Sequence, residues 1–245
     1  MSTAFLVVYS LAASLFGCFL QAVTGFGSAI LMMVALPVFL PIPQSAMISQ
    51  VIVIPVQLAL IRTYFKSIRW DAVLRPLLFY LVTSLIAVRF ASRVDTAFLK
   101  RLLGAFMLVL SVYFIFGKGK IRIPTGWTGA GIAGGIAGCT SGLFSIGGPP
   151  MVVYYMALTG GEKAVYLGTL QMFFFLSGLY TSITRVAAGG ITAEIIPMIL
   201  SGIVGGYLGQ LLGTRLVSRI DQKMMTNLVY GFLCVSGIIY AVGVL

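Results

Sequence analysis

Apolar runs follow one another along the whole chain, at approximately 4–23, 28–41, 44–65, 73–92 and 97–117, then 126–145, 148–159, 163–186, 194–214 and 223–244. Most reach the roughly 20 residues that a helix needs to cross a bilayer core, and no soluble domain fits between them. Two places break the pattern: Thr24-Gly25-Phe26-Gly27 and Ser145-Ile146-Gly147-Gly148-Pro149-Pro150. The piece after each break is short. At about 1.5 Å per residue, 148–159 spans only about 18 Å against a hydrocarbon thickness of about 30 Å, which predicts half-helices or re-entrant hairpins.

The breaks belong to a duplication. Gly17-Cys18 and Gly138-Cys139 are separated by 138 − 17 = 121 positions, and the same offset relates Gly27 to Gly148, Gln50 to Gln171 and Pro76 to Pro197. The chain therefore reads as two repeats, 1–122 and 123–245, inside one integral membrane domain. Paired interruptions in duplicated membrane halves point toward a binding site.

Composition agrees with a lipid solvent, with 60% hydrophobic and 9% charged residues. The N-terminus lacks a basic region and a small-residue cleavage site, so the first apolar run is expected to stay as a membrane helix. Lys and Arg outnumber Asp and Glu by 16 to 5. These cations sit in short clusters between apolar runs, which favours membrane topology over nucleic acid. If each half crosses an odd number of times, one side receives Arg62, Lys66, Arg69, Arg75, Lys118, Lys120, Arg122, Lys163, Arg215, Arg219 and Lys223. The other receives Arg89, Arg93, Lys100, Arg101 and Arg185, a division of 11 against 5. An even number gives 8 against 8 and no orientation, so the halves are expected to be inverted, with both termini on the outer, periplasmic side. The expected fold is an all-α polytopic membrane protein with two inverted repeats, broken or re-entrant half-helices and about 8–10 membrane segments.

Chemistry enters at the breaks. Unpaired backbone at membrane depth is tolerated only where protein buries it or a water-filled cavity meets it. A half-helix starting near Gly148 offers N–H groups and the positive end of its dipole to an anion, and Pro149 and Pro150 suit a helix start. Gln50 and Gln171 lie about 10–12 Å into their helices, where an amide can donate to an oxyanion or simply tie two helices together. The candidate substrate-binding set is Thr24, Gly25, Gly27, Ser28, Gln50, Ser145, Gly147, Gly148 and Gln171, with Ser141 a further hydroxyl. Gly131, Gly134, Gly135 and Gly138 read as a packing face, and Arg62 and Arg185 as cations that snorkel to the interface.

The five acids, Asp71, Asp95, Glu162, Glu194 and Asp221, lie in or beside loops, and the chain has no histidine. That leaves no deep carboxylate relay, and coupling to protons or to sodium stays open. Cys18, Cys139 and Cys234 show neither disulfide nor zinc spacing. No serine–histidine, HExxH or paired-carboxylate arrangement marks an enzyme. No cofactor is expected; the partners are a small anion and the bilayer, and pairing into a homodimer stays open.

The segments GCFLQAVTGFGSAILMMVALP at 17–37 and GCTSGLFSIGGPPMVVYYMALTGG at 138–161 resemble the TauE/SafE sulfite exporter family of membrane transporters, within the 4-toluene sulfonate uptake permease superfamily. The resemblance covers essentially the whole chain, GGPP being its most specific element. It implies movement of sulfite, sulfonates or related organic anions across the inner membrane. An anion channel and a non-transporting scaffold are the alternatives.

Overall fold

The computed structural model describes residues 2–24, 26–117, 123–160, 162–189, 192–216 and 222–243. Gly25, Lys118, Lys120, Arg122, Arg219 and Asp221, singled out above, lie outside the described residues, as do the side chains of Thr24 and Lys223. Among the described residues the fold is helical throughout. Five helices make the first half: α1 (Thr3–Thr24), α2 (Ser28–Ala35), α3 (Ile42–Tyr64), α4 (Trp70–Ala91) and α5 (Thr96–Val112). Five more make the second: α6 (Trp127–Phe144), α7 (Gly148–Thr159), α8 (Lys163–Ala187), α9 (Ile196–Leu216) and α10 (Gln222–Val242).

Local chemistry sets several of these ends. Asp95 caps α5, its carboxylate accepting from the backbone N–H groups of Ala97 and Phe98 at 3.0 and 3.4 Å. Proline opens both α3 and α7, where the missing N–H removes no helical bond. Six helical spans among the described residues are long and apolar enough to cross a membrane, whereas α2 has 8 residues and α7 has 12, too short to do so.

The most buried span is that of α3, 61% of its apolar window lying inside the protein against 28% for α1. It contributes to three hydrophobic clusters, through Ile42 and Ala46, through Ile61, and through Ile48 and Ile52. Its counterpart α8 lies against it in the opposite direction: Gly178 packs by Gln50 and Gly168 by Tyr64. Helices α5 and α10 are also antiparallel, Gly104 packing by Ala241 while Ser111 Oγ donates to the Tyr230 carbonyl at 2.9 Å.

The other large contacts exchange partners between the halves. Helix α6 runs parallel to α4, with Gly134, Gly138 and Gly142 against Pro76, Tyr80 and Ser84. Helix α9 runs parallel to α1, with Gly205, Gly209 and Gly213 against Leu11, Leu15 and Phe19. A β-carbon on Gly134 would lie 2.2 Å from the Pro76 carbonyl oxygen, and one on Gly209 2.1 Å from that of Leu15. These four-residue ladders of small residues let the backbones touch, the packing device available where lipid removes the hydrophobic drive between helices. Gly134 and Gly138 thus fulfil the packing role expected of them, while Gly131 and Gly135 leave ordinary room, with nearest neighbours at 3.5 and 3.9 Å.

Candidate functional site

Each half opens on a broken hairpin. After α1 the chain turns at Gly27, whose φ of 107° is open to glycine and strained for other residues, and α2 returns along α1 until Tyr9 Oη donates to the Ala35 carbonyl at 3.1 Å. After α6 the chain turns at Ser145, left-handed at φ 57°. That conformation is held by two hydrogen bonds, from its N–H to the Ser141 carbonyl at 2.8 Å and from its Oγ to the Ala46 carbonyl of α3 at 2.7 Å.

The two breaks face one another across a cavity of about 60 Å3. One water takes about 10–15 Å3 on the same measure, so the space suits about four waters or one small oxyanion. Gly27 and Ser28 from the first break, Ser145, Gly147 and Gly148 from the second, and Gln50 of α3 all line it. Gln171 is buried in α8 at 1% exposure and is not among the lining residues.

Neither α2 nor α7 has a side-chain cap at its start. The first helical bond of α2 runs from the Leu31 N–H to the Gly27 carbonyl, so Ser28, Ala29 and Ile30, all cavity residues, carry the N–H groups that have no partner in the helix. Helix α7 differs: Pro149 and Pro150 have no N–H, leaving Gly148 and the dipole. Donors are therefore concentrated on the first break, although the proline pair had directed attention to the second.

Side chains complete the wall. Ser28 Oγ donates to Gln21 Oε1 at the end of α1. Gln57 lies two turns beyond Gln50 on the same face of α3, 4% exposed, and its Oε1 makes no hydrogen bond. Tyr80 Oη donates to Ser141 Oγ at 2.7 Å and lies 2.8 Å from Thr181 Oγ1. Phe26, Val53, Phe173 and Phe174 supply apolar surface, and among the described residues none that lines the cavity is charged.

Gln21, Gln57, Tyr80 and Ser177 were missed by the duplication, for a visible reason. Position 178, the counterpart of Gln57 (178 − 57 = 121), is glycine, and position 142, the counterpart of Gln21, is glycine as well. A search for matched polar pairs discards such positions. The seven-residue spacing of Gln50 and Gln57 was the available clue.

One expectation is corrected. Arg185 does not snorkel outward; it is 3% exposed, and its Nη2 donates to the carbonyls of Ser141 and Gly142 at 3.0 and 2.8 Å. The last turn of α6 ends beside it and offers acceptors that an interface would otherwise supply. Without Arg185 the charge division becomes 11 against 4, so the orientation argument is unchanged.

Comparison with known families decides the wider identity. The family model described as sulfite exporter TauE/SafE matches residues 10–240, nearly the whole chain. The chain belongs to the TauE/SafE family. No curated protein and no solved structure matches it. As a TauE/SafE protein it is a multi-pass membrane transporter of the sulfite-exporter type, and the cavity between its two breaks is the candidate place for an anion.

Proposed function

We propose that this TauE/SafE protein is a secondary transporter that moves a small oxyanion, sulfite or a compact sulfonate, across the inner membrane by alternating access around the central cavity. The observation that carries the reading is the cavity itself: two uncapped helix starts and the amides of Gln50 and Gln57 meet there, and among the described residues none that lines it is acidic. Free N–H groups can bind an anion without direct contact from a Lys or Arg. The breaks supply backbone donors, and the surrounding helices exclude lipid from them.

The antiparallel course of α3 against α8 and of α5 against α10 supports reading the halves as inverted repeats, the arrangement that lets one half rock against the other. Trp70 and Trp127, exposed at the starts of the parallel helices α4 and α6, fit an aromatic belt on one face. Arg62, Lys66, Arg69 and Arg75 cluster in sequence beside Trp70, which favours the cytoplasm for that face and the periplasm for the termini.

The test is ligand stabilisation followed by transport. A bound anion raises apparent stability by RT ln(1 + [L]/Kd), about 2.7 kcal/mol at 100 times Kd. A panel of sulfite, sulfate, sulfonates and carboxylates is expected to raise the melting temperature with small oxyanions foremost, and liposomes are expected to show saturable counterflow. Stabilisation by none of the panel would remove the anion reading, and conductance without saturation would replace the carrier by a pore.

Gly178→Ala probes the wall without touching it. The added β-carbon would meet Gln50 Nε2 at 2.4 Å, the far end of a flexible side chain, so the amide swings aside while the backbone stays. Stability is expected to remain within about 1 kcal/mol of wild type. Affinity for sulfite in a thermal-shift titration is expected to fall about tenfold, the worth of one hydrogen bond to a charged group.

A further inference from the structure

Arg185 poses a separate question, because among the described residues its charge has no carboxylate against it. The ion pairs among the described residues, Arg69–Asp71 and Arg75–Asp71, lie at the start of α4, and the Nε of Arg185 makes no hydrogen bond at all. A buried cation without a counter-charge is expensive, and in a membrane protein it marks function. Closing a broken helix does not require one: the counterpart of Arg185 in the first half is Tyr64 (185 − 64 = 121).

Field arithmetic gives the arginine a purpose. Each break brings the end of one helix and the start of another to the cavity, about half a negative charge beside about half a positive one, which largely cancel for an anion between them. At the second break Arg185 binds the terminal carbonyls of α6 and outweighs their negative end, leaving the start of α7 unopposed. The link to the cavity is short. Ser141, whose carbonyl holds the guanidinium, lines the cavity, and so does Tyr80, which donates to the Ser141 hydroxyl.

We propose that Arg185 is the charge-selecting residue of this cavity: Ser141 stands between it and the cargo, and its field makes the second break net positive, so that anions are chosen by their charge as well as their shape. The inference rests on the anion-transport reading and extends it to a residue outside the lining. Coulomb energy scales with the product of the charges, so removing the arginine's charge should weaken a dianion by the square of the factor that applies to a monoanion.

Methanesulfonate and sulfate, tetrahedral anions of charge −1 and −2, are the probes. Their affinities for the purified full-length protein are measured by calorimetry. Arg185→Gln is expected to weaken methanesulfonate about tenfold and sulfate about a hundredfold, while Arg185→Lys keeps both within about threefold. If Arg185→Gln does not fold, Ser182→Asp serves instead: Ser182 is buried, its Oγ makes no hydrogen bond, and a carboxylate three residues before Arg185 on the same helix opposes its charge while the arginine stays. The same graded loss is expected. Equal weakening of both anions, or none, would reduce Arg185 to a structural cap and leave the transport reading standing. Failure of the wild-type protein to bind either anion would instead sink the transport reading, and this inference with it.

Discussion

Gly148→Leu is expected to stop transport, lowering the uptake rate in liposomes by more than about 100-fold, or about 2.7 kcal/mol of barrier, while the protein still folds. A β-carbon at Gly148 would stand 3.8 Å from Phe174 Cζ and 3.8 Å from Phe26 Cδ2, ordinary contact on both sides. The first carbon therefore fits. Beyond it, the isobutyl group meets the two rings and has the 60 Å3 cavity as its open direction. The residue opens α7 directly before Pro149, whose ring crowds a β-carbon on a helical neighbour, while the unfolded chain loses freedom when glycine is replaced; the two effects oppose each other, so stability is expected to change little. Gly148→Ala is the control, expected to transport at near wild-type rate. Uptake by Gly148→Leu at the wild-type rate would show that the cargo passes elsewhere.

Gln50→Ala is expected to weaken oxyanion binding by about 10- to 100-fold, the range for losing one hydrogen bond to a charged group at about 1.5–3 kcal/mol. Gln50 lines the cavity at 7% exposure, and its amide lies over Gly178, where another residue would have displaced it. Gln171→Ala is expected to change affinity by less than about threefold, since its loss leaves the lining intact and removes packing or interhelical bonding instead. Calorimetric titration of sulfite into both variants separates the two amides. Equal losses would mean that the site reaches α8 at Gln171; no loss in either would take the amides out of binding.

The duplication made much of this fold readable before any coordinates. Helices α3 and α8 begin at 42 and 163, the same 121-residue offset that relates Gly27 to Gly148. The offset drifts later. Helix α4 begins at 70 and α9 at 196, so Pro76 stands seventh in its helix and Pro197 second, although sequence spacing pairs them. Loops and a short 3-10 turn at Ala193–Ile195 absorb the difference, which hydrophobic spacing does not report.

The breaks were legible because glycine and proline carry their backbone meaning locally. Which donors reach the cavity was not, since that depends on partners brought from afar. Arg185 is the clearest case. Read along α8 it is an arginine two positions from the helix end, and only the arrival of the last turn of α6 decides that its guanidinium turns inward.

The glycine ladders carry a consequence for how the molecule is divided. Because α9 is fused by backbone contact to α1, and α6 to α4, the stiff pieces of the protein are hybrids, each taking one helix from either side of the duplication. A fragment ending at residue 117 would keep α1 and α4 but lose the surfaces that both were shaped to meet. Such a half is left with two bare backbone faces in lipid, each needing a small-residue helix from elsewhere to cover it.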